Sequence, residues 1–300
     1  MERKKMAGMR RGWEMFSLVI TGGKNRKWIT LSMLIGLLIP GMIMLGGCSM
    51  GGEREREGQE TPTIEKGVLV LEEDVVEEYP EIAEAPSITG DAADNPAGLL
   101  QEVCGCTMVK LKAGKLNGSG VILASDRRYL WIVTAGHVLD DFDPESGEAS
   151  ILVTFADGFQ TQVSKAERKE ELDLAILRLN RASLVERVGE SETDHGLEYR
   201  RAILAQEAFD QLKPGDLALA MGSRSGVGED AYAGVITQDY AYLEDFGTHM
   251  IVAEVPVSPG MSGGGLFDSE GRLLGILCGV SEDGEVAVCP VINLLALELY

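Results

Sequence analysis

The chain has 300 residues, 45% of them hydrophobic and 25% charged, which suits one globular domain with a targeting segment and a tether. This composition excludes disorder of the whole chain. The formal net charge of −21 argues against nucleic acid as a partner, because a polyanionic protein repels phosphate groups. The 37 glycines follow no period and favour a fold with many turns, which points to an all-β protein.

The N-terminal region is basic and then apolar. Residues 1–27 carry eight Lys or Arg against two Glu, and residues 28–47 carry no charge. An apolar run of this length can cross a bilayer, and its basic flank is typical of the cytoplasmic side. It ends in Leu45-Gly46-Gly47-Cys48, which resembles a bacterial lipobox and predicts lipidation of Cys48. Lipid anchoring and an uncleaved single-pass helix both remain open, and both predict a cell-membrane protein whose remaining chain is extracytoplasmic.

Residues 49–97 form an acidic region. They contain fourteen Asp or Glu and four prolines, which predicts a solvated, disordered tether. Only residues 68–76 are apolar enough to pack on a domain surface as a strand or short helix. We therefore divide the chain into a signal or anchor region at 1–48, a tether at 49–97 and a folded domain at 98–300.

The folded domain consists of short apolar or alternating runs separated by turn residues. This pattern predicts many short strands arranged as a sandwich or barrel. Thirteen strands are predicted, at 107–111, 120–124, 130–134, 151–155, 159–163, 174–179, 202–205, 217–221, 234–237, 250–255, 264–267, 273–278 and 285–291. Residues 165–171 and 182–190 could be helix or loop, and residues 291–300 predict a short C-terminal helix.

Four cysteines lie in the predicted domain: Cys104, Cys106, Cys278 and Cys289. In an exported protein they permit one or two disulfides, and sequence alone cannot choose the pairing. Cys278 and Cys289 flank residues 281–285 symmetrically, so a hairpin there would allow a cross-strand disulfide or two free thiols. The spacing of Cys104 and Cys106 does not fit a zinc knuckle, and we predict no metal site.

Three segments carry the residues of a serine hydrolase. His137 lies within residues 132–138, where a β-branched strand ends at the imidazole. His195 lies in a polar stretch typical of a solvated loop, and His249 is expected to be structural or exposed. Asp173 precedes the apolar run 174–179, where a buried carboxylate would need a partner such as histidine. A strand-terminal acid that faces water is the alternative.

The third segment is Pro259-Gly260-Met261-Ser262-Gly263-Gly264. Glycines on both sides of a serine permit positive φ angles that turn consecutive amides toward one point. We therefore predict Ser262 as the nucleophile and the amides of Gly260 and Ser262 as an oxyanion hole. A glycine-rich loop without catalytic consequence and a phosphate-binding loop are the alternatives, and the lysine and helix of a P-loop are missing.

Together, Thr134-Ala135-Gly136-His137, Asp173-Leu174-Ala175 and Gly260-Met261-Ser262-Gly263-Gly264 resemble the trypsin-like serine peptidases, especially the bacterial HtrA-related branch. Gly118-Ser119-Gly120-Val121-Ile122 is similar to that branch as well. The resemblance covers about residues 99–300. It implies two six-stranded antiparallel β-barrels with a His137, Asp173 and Ser262 triad between them. Because the sequence ends at Tyr300, we expect no PDZ module of the kind typical of HtrA proteins.

The resemblance further implies that residues Ile276, Leu277, Cys278 and Gly279 border the substrate. It implies hydrolysis of a protein or peptide through an acyl-enzyme, with no cofactor. The family often has Asp or Asn where this chain has Met261. A catalytically silent module that binds a peptide is the main alternative function. An esterase is a lesser one, because the order His, Asp, Ser is that of the trypsin class.

Overall fold

The computed structural model describes residues 28–29, 78–89, 94–142, 150–163, 165–188, 191–224, 229–297 and 299. Its first strand, β1 (Trp28–Ile29), pairs antiparallel with Val280 and Ser281. The sequence assigns Trp28 and Ile29 to the membrane-targeting segment, whereas the structure places them in this strand. Residues 30–47 and Cys48 lie outside the described residues, and no described helix is long and apolar enough to span a bilayer.

The first barrel-like sheet contains seven antiparallel strands. They are β2 (Met108–Ala113), β3 (Leu116–Ser125), β4 (Tyr129–Ala135), β5 (Ile151–Phe155), β6 (Gln160–Val163), β7 (Ala166–Lys169) and β8 (Leu174–Asn180), in the order β6-β5-β2-β3-β4-β8-β7. Strand β5 alternates between buried and half-buried residues, as a strand with one face on a core should. A separate hairpin follows, made of β9 (Val185–Val188) and β10 (Ser191–Asp194).

The second sheet closes on itself. Its strands are β11 (Ile203–Leu204), β12 (Leu217–Ser223), β13 (Glu229–Leu243), β14 (Thr248–Glu254), β15 (Gly265–Phe267), β16 (Arg272–Ser281) and β17 (Glu285–Pro290). Six of them form a ring, because the path β16-β15-β12-β13-β14-β17 is completed by pairing between β17 and β16. Strands β1 and β11 attach to β16 from outside the ring.

In the part of the chain that the structure describes, three short α-helices accompany the sheets: α1 (Pro96–Cys104), α2 (Gln206–Asp210) and α3 (Val291–Leu295). Helix α1 begins where the Asn95 side chain accepts a 3.0 Å hydrogen bond from the Gly98 amide and Pro96 occupies the first turn. The predicted mostly β fold with a short C-terminal helix is confirmed. Barrel closure by a ring of six strands is seen in the second sheet, and the first sheet has seven strands in an open order.

Residues 78–89 do not form the disordered tether that was predicted for them. Ile82, Ala85 and Ile88 are buried, and their spacing of three residues is that of an extended polyproline-like chain, in keeping with Pro80 and Pro86. We call residues 78–89 the strap. Because burial of apolar side chains and backbone hydrogen bonds both require a packed neighbour, residues 78–89 pack as part of the folded unit, outside the predicted bounds of 98–300.

The strap contacts both sheets. On the side of the first sheet, the amide of Ile82 donates to Ser125 Oγ at 2.8 Å, and Arg181 Nη1 donates to the Pro80 carbonyl at 2.7 Å. On the side of the second sheet, the amide of Ile88 donates to the Glu270 carbonyl at 2.9 Å. The strap therefore joins the two halves of the domain.

Candidate active site

His137 and Asp173 are brought together by the pairing of β4 with β8. His137 lies in a 3-10 turn directly after β4, and Asp173 lies directly before β8. The two strands pair antiparallel with Ala135 opposite Leu174, so the residues just beyond them meet at the same edge. The Gly136 amide donates to the Asp173 carbonyl at 2.8 Å, and a side chain on Gly136 would crowd the Asp173 carboxylate.

The carboxylate of Asp173 makes two hydrogen bonds to one residue. Its Oδ2 atom lies 2.8 Å from Nδ1 of His137, and its Oδ1 atom accepts from the His137 amide at 2.9 Å. The His137 side chain is 7% exposed and that of Asp173 is 19% exposed. This arrangement fixes the ring orientation and favours the tautomer with the proton on Nδ1, which leaves Nε2 as a base.

Ser262 lies in a glycine-rich loop between β14 and β15. Gly260 and Gly263 have φ angles of 97° and 81°, which a residue with a side chain rarely adopts. The loop is anchored to β16, because the Gly263 amide donates to the Leu277 carbonyl at 2.8 Å and the Leu277 amide donates to the Gly264 carbonyl at 2.9 Å. The Ser262 side chain is fully buried.

The loop of Ser262 packs against the end of β4, the strand that precedes His137. A Cβ atom on Gly263 would collide with Thr134 Oγ1 and lie 2.8 Å from the Ala135 amide nitrogen. Within the described residues, His137 Nε2 and Ser262 Oγ are both buried and neither has a hydrogen-bond partner. The structure therefore brings together the segments of His137, Asp173 and Ser262 without forming the hydrogen bond between the imidazole and the hydroxyl. Catalytic hydrogen bonds are often long in proteins without a bound substrate.

The amides proposed for the oxyanion hole belong to Gly260 and Ser262. The intervening Met261 amide donates to the Ser258 carbonyl at 3.1 Å, so it already has a partner within the loop. Met261 is fully buried in the second core cluster, and its sulfur accepts a 3.3 Å hydrogen bond from the Ser258 amide. An apolar side chain thus occupies this position where the family often has Asp or Asn.

The four residues predicted to border the substrate are all buried in β16. Ile276 pairs with Gly265 and Cys289, and the backbone of Leu277 is bonded to the Ser262 loop. The Cys278 sulfur lies 3.7 Å from the Asp173 carbonyl oxygen. The edge that can accept a further strand therefore begins after Leu277, and Trp28 and Ile29 pair with it at Val280 and Ser281.

None of the four described cysteines forms a disulfide. Cys278 and Cys289 are not opposite each other, because Cys289 pairs with Ile276 and the ladder is irregular between Leu277 and Gly279. The free-thiol alternative holds for this pair. Burial raises the pKa of Cys104 and of Cys289 to about 12, and burial raises the pKa of Cys278 well above its usual value, with a further increase from nearby Asp173.

The other two histidines lie outside this site. His249 is exposed and stacks on Tyr240, as a structural or exposed histidine would. The prediction of a solvated loop for His195 was wrong, because its ring stacks on Phe159 and its Nδ1 lies 2.9 Å from Asp157 Oδ2. Among the residues that the structure describes, no group of three or more His, Cys, Asp or Glu is placed to hold a metal ion.

Sequence reasoning assigned no role to Ser119 and Thr134, although both lie in the segments that carry the family resemblance. Ser119 is fully buried and hydrogen bonded to the loop of Ser262, and Thr134 Oγ1 donates to the Ser119 carbonyl at 2.6 Å. The glycines on either side of Ser119 were the only available signal, because side-chain contacts across the two sheets depend on tertiary structure.

The fold consists of a closed antiparallel barrel beside a second barrel-like sheet, and His137 and Asp173 lie at the edge that faces the Ser262 loop. This arrangement defines the double-barrel class of trypsin-like proteins. A sequence-family model described as the trypsin-like peptidase domain matches residues 118–276, more than half of the chain. The chain belongs to this family.

Curated relatives agree with this assignment. A probable periplasmic serine protease do/HhoA-like from Haemophilus influenzae is 26% identical over 162 residues, which covers 53% of this chain and 30% of that protein. A probable periplasmic serine endoprotease DegP-like from Pseudomonas putida is 28% identical over 161 residues, covering 53% and 28%. The chain thus spans less than a third of the length of these two relatives that it matches.

Solved structures share the fold. A serine endoprotease from Yersinia pestis has a TM-score of 0.50 at 20% identity, over 69% of this chain and 65% of that chain. An HtrA-type protease solved with a tripeptide has a TM-score of 0.50 at 23% identity, over 65% and 60%.

Proposed function

We propose that the chain is an extracytoplasmic serine endopeptidase that cleaves protein or peptide substrates. The observation that carries this proposal is that the Asp173 carboxylate accepts hydrogen bonds from both the backbone amide and the ring of His137, at the edge of the first sheet that packs on the Ser262 loop. Membership of the trypsin-like peptidase family supports it. The named activity of the curated relatives, serine protease or endoprotease, supports it as well.

In the proposed mechanism, His137 Nε2 removes the proton from Ser262 Oγ as that oxygen attacks a peptide carbonyl. Asp173 stabilises the imidazolium that forms, and the Gly260 and Ser262 amides donate to the developing oxyanion. His137 then gives its proton to the leaving amine, and the C–N bond breaks to leave an acyl-enzyme. Water, deprotonated by the same imidazole, hydrolyses the ester and regenerates Ser262.

A peptide substrate would add to the edge of β16 beyond Leu277, which Trp28 and Ile29 occupy in part at Val280 and Ser281. In strand addition, the N–H and C=O groups of the peptide form main-chain hydrogen bonds with the sheet edge. This mode of binding suits an enzyme that binds extended chains. The segments that form this edge and the Ser262 loop include half-buried apolar side chains, such as Val257 and Val280. We therefore propose a preference for small or medium apolar side chains next to the scissile bond.

A fluorophosphonate probe tests the catalytic proposal, since it reacts with activated serine hydroxyls. We expect the full chain to be labelled, Ser262→Ala to lose the label and Ser269→Ala, an exposed serine in the turn before β16, to keep it. The silent peptide-binding module, which the absent bond between His137 Nε2 and Ser262 Oγ favours, predicts no labelling of any of the three proteins.

The proposed location rests on the basic and apolar residues 1–47, on Cys48 and on the periplasmic relatives. We propose a lipid anchor at Cys48. Expressed in bacteria, the full chain should appear in the membrane fraction with a mature mass that begins at Cys48. The Cys48→Ser variant should keep its N-terminal residues. A wild-type protein of full mass in the membrane would support the uncleaved helix instead.

A further inference from the structure

The side chain of Ser119 connects the first sheet to the loop that carries Ser262. Ser119 lies in β3 and is fully buried. Its hydroxyl donates a 2.8 Å hydrogen bond to the Gly260 carbonyl and accepts a 2.7 Å hydrogen bond from the Ser223 amide. The hydroxyl is therefore held by one donor and one acceptor, and its proton points at Gly260.

The backbone of Ser119 contributes two further bonds. Its amide donates to the Ser262 carbonyl at 2.8 Å, and its carbonyl accepts from Thr134 Oγ1 at 2.6 Å. Thr134 lies near the end of β4, three residues before His137. One residue thus contacts both the loop of the proposed nucleophile and the strand that leads to the proposed base.

The bond from Ser119 acts on the peptide plane next to the Gly260 amide. The carbonyl of this plane is held by Ser119 Oγ at 2.8 Å, and its N–H, which belongs to Met261, donates to the Ser258 carbonyl at 3.1 Å. Gly260 has a φ of 97° and no side chain that would restrict its rotation. Anchoring both ends of the plane therefore limits the rotation that would turn the Gly260 amide away from the neighbouring Ser262 amide.

We propose that Ser119 is a positioning residue that holds the Gly260 amide in place as an oxyanion donor. The inference rests on the proposed function, because it assigns Ser119 to the transition state of the same reaction. In this role Ser119 does not contact the substrate. The expected signature is a loss of transition-state stabilisation with little change in substrate binding.

A purely structural role predicts a different outcome. Removal of the hydroxyl leaves the Ser223 amide and the Gly260 carbonyl without their buried partner, which lowers stability in any case. Stability alone therefore cannot distinguish the two roles. The distinction lies in kcat, in the affinity for a transition-state analogue and in the motion of the loop.

The experiment compares Ser119→Ala with Ser223→Ala in the full chain. Ser223 is the matched control because its hydroxyl is equally buried and has no partner among the described residues, while its amide, which bonds Ser119, is unchanged. Each protein is assayed for kcat and KM on a peptide ester, and for inhibition by a peptide aldehyde that forms a tetrahedral adduct.

We expect Ser119→Ala to lower kcat by about 10- to 100-fold, somewhat less than the loss of a whole oxyanion donor. Aldehyde affinity should fall by a similar factor and KM should change less than threefold. Ser223→Ala should match the wild type. Ser119→Cys keeps a donor at this position, but its thiol donates a weaker hydrogen bond, so its kcat should lie between those of Ser119→Ala and the wild type. It replaces Ser119→Ala in the comparison if that variant does not fold.

Wild-type kcat and aldehyde affinity in both Ser119 variants would overturn the inference, as would equal losses in Ser119→Ala and Ser223→Ala. An inactive wild type would instead overturn the proposed function and the catalytic part of the inference with it. Hydrogen–deuterium exchange over residues 256–264 then still tests the contact. Exchange should be faster in Ser119→Ala than in Ser223→Ala if Ser119 holds the loop, and equal exchange would refute the contact.

Discussion

Asp173 binds His137 at two points, the ring through Oδ2 at 2.8 Å and the backbone amide through Oδ1 at 2.9 Å. To make both contacts, Asp173 has a left-handed backbone with a φ of 49°, the only positive φ found at a described residue other than glycine. Such a conformation costs free energy and persists where the surroundings enforce it, typically at functional sites. The carboxylate therefore holds the histidine as well as orienting its proton.

Asp173→Asn separates these two tasks. The amide side chain can still accept a hydrogen bond from the His137 backbone, but its NH₂ group would favour the wrong imidazole tautomer. We expect kcat to fall by about 10³- to 10⁴-fold with a nearly unchanged melting temperature. Kinetics and thermal unfolding of the full chain measure both. A variant with more than a tenth of wild-type kcat would contradict the role of Asp173 in fixing the tautomer of His137.

Gly263 should tolerate no side chain. A Cβ atom there would collide with Thr134 Oγ1 and the Ser119 carbonyl, and its φ of 81° is unfavourable for alanine. Gly158 provides the control, because its φ is 88° and nothing lies within 4 Å of its Cβ position. We expect Gly263→Ala to lower the free energy of unfolding by at least about 2 kcal/mol more than Gly158→Ala. Equal losses in denaturant titrations would mean that the Ser262 loop does not pack on β4.

The strap should contribute to stability. Ile88 is 7% exposed and packs near Gly271, whereas the neighbouring Ser87 is exposed. We expect Ile88→Ala to destabilise the full chain by about 2–4 kcal/mol and Ser87→Ala by less than about 0.5 kcal/mol. Chemical denaturation measures the difference. If both variants unfold at the wild-type denaturant concentration, residues 78–89 belong to the tether and not to the folded domain.

The described cysteines should differ in reactivity. Cys104, Cys278 and Cys289 are buried, and because burial raises their pKa values, their thiols stay protonated and unreactive at pH 8. Cys106 is half-buried. We expect iodoacetamide to modify Cys106 first in the native protein and the other three only after unfolding, as followed by peptide mass spectrometry. Rapid native labelling of Cys278, or a peptide in which Cys278 and Cys289 are disulfide-linked, would disagree with the structure.

Local sequence patterns predicted most of the strands because apolar runs bounded by glycine and aspartate reflect the sheet geometry directly. They located β5 at its observed bounds, and they located β4 and β8 to within a residue or two. They failed for β7, whose sequence Ala-Glu-Arg-Lys has no apolar alternation and is extended only through its pairing with β8. They also failed for β13, which continues through polar residues to Leu243 because β14 pairs with it along its second half.

The strap and the hydrogen bonds of Ser119 could not be predicted from the sequence because both depend on contacts between distant parts of the chain. Acidic residues and prolines in 78–89 indicate a solvated chain, and only the complementary surface at Ser125, Arg181 and Glu270 makes that segment ordered. Ser119 lies 141 residues from Gly260 in the chain, so no local pattern could indicate their hydrogen bond. The sequence could predict catalytic roles for His137, Asp173 and Ser262 because each lies in a short motif whose residue types suit that role.

An experimental structure of the full chain after reaction with a fluorophosphonate tests the central claim most directly. We predict a covalent bond from phosphorus to Ser262 Oγ, a phosphoryl oxygen within hydrogen-bond distance of the Gly260 and Ser262 amides, and His137 Nε2 at about 3 Å from an oxygen of the adduct. An adduct on another residue, or an adduct on Ser262 with the His137 ring out of reach, would contradict the proposed catalytic site.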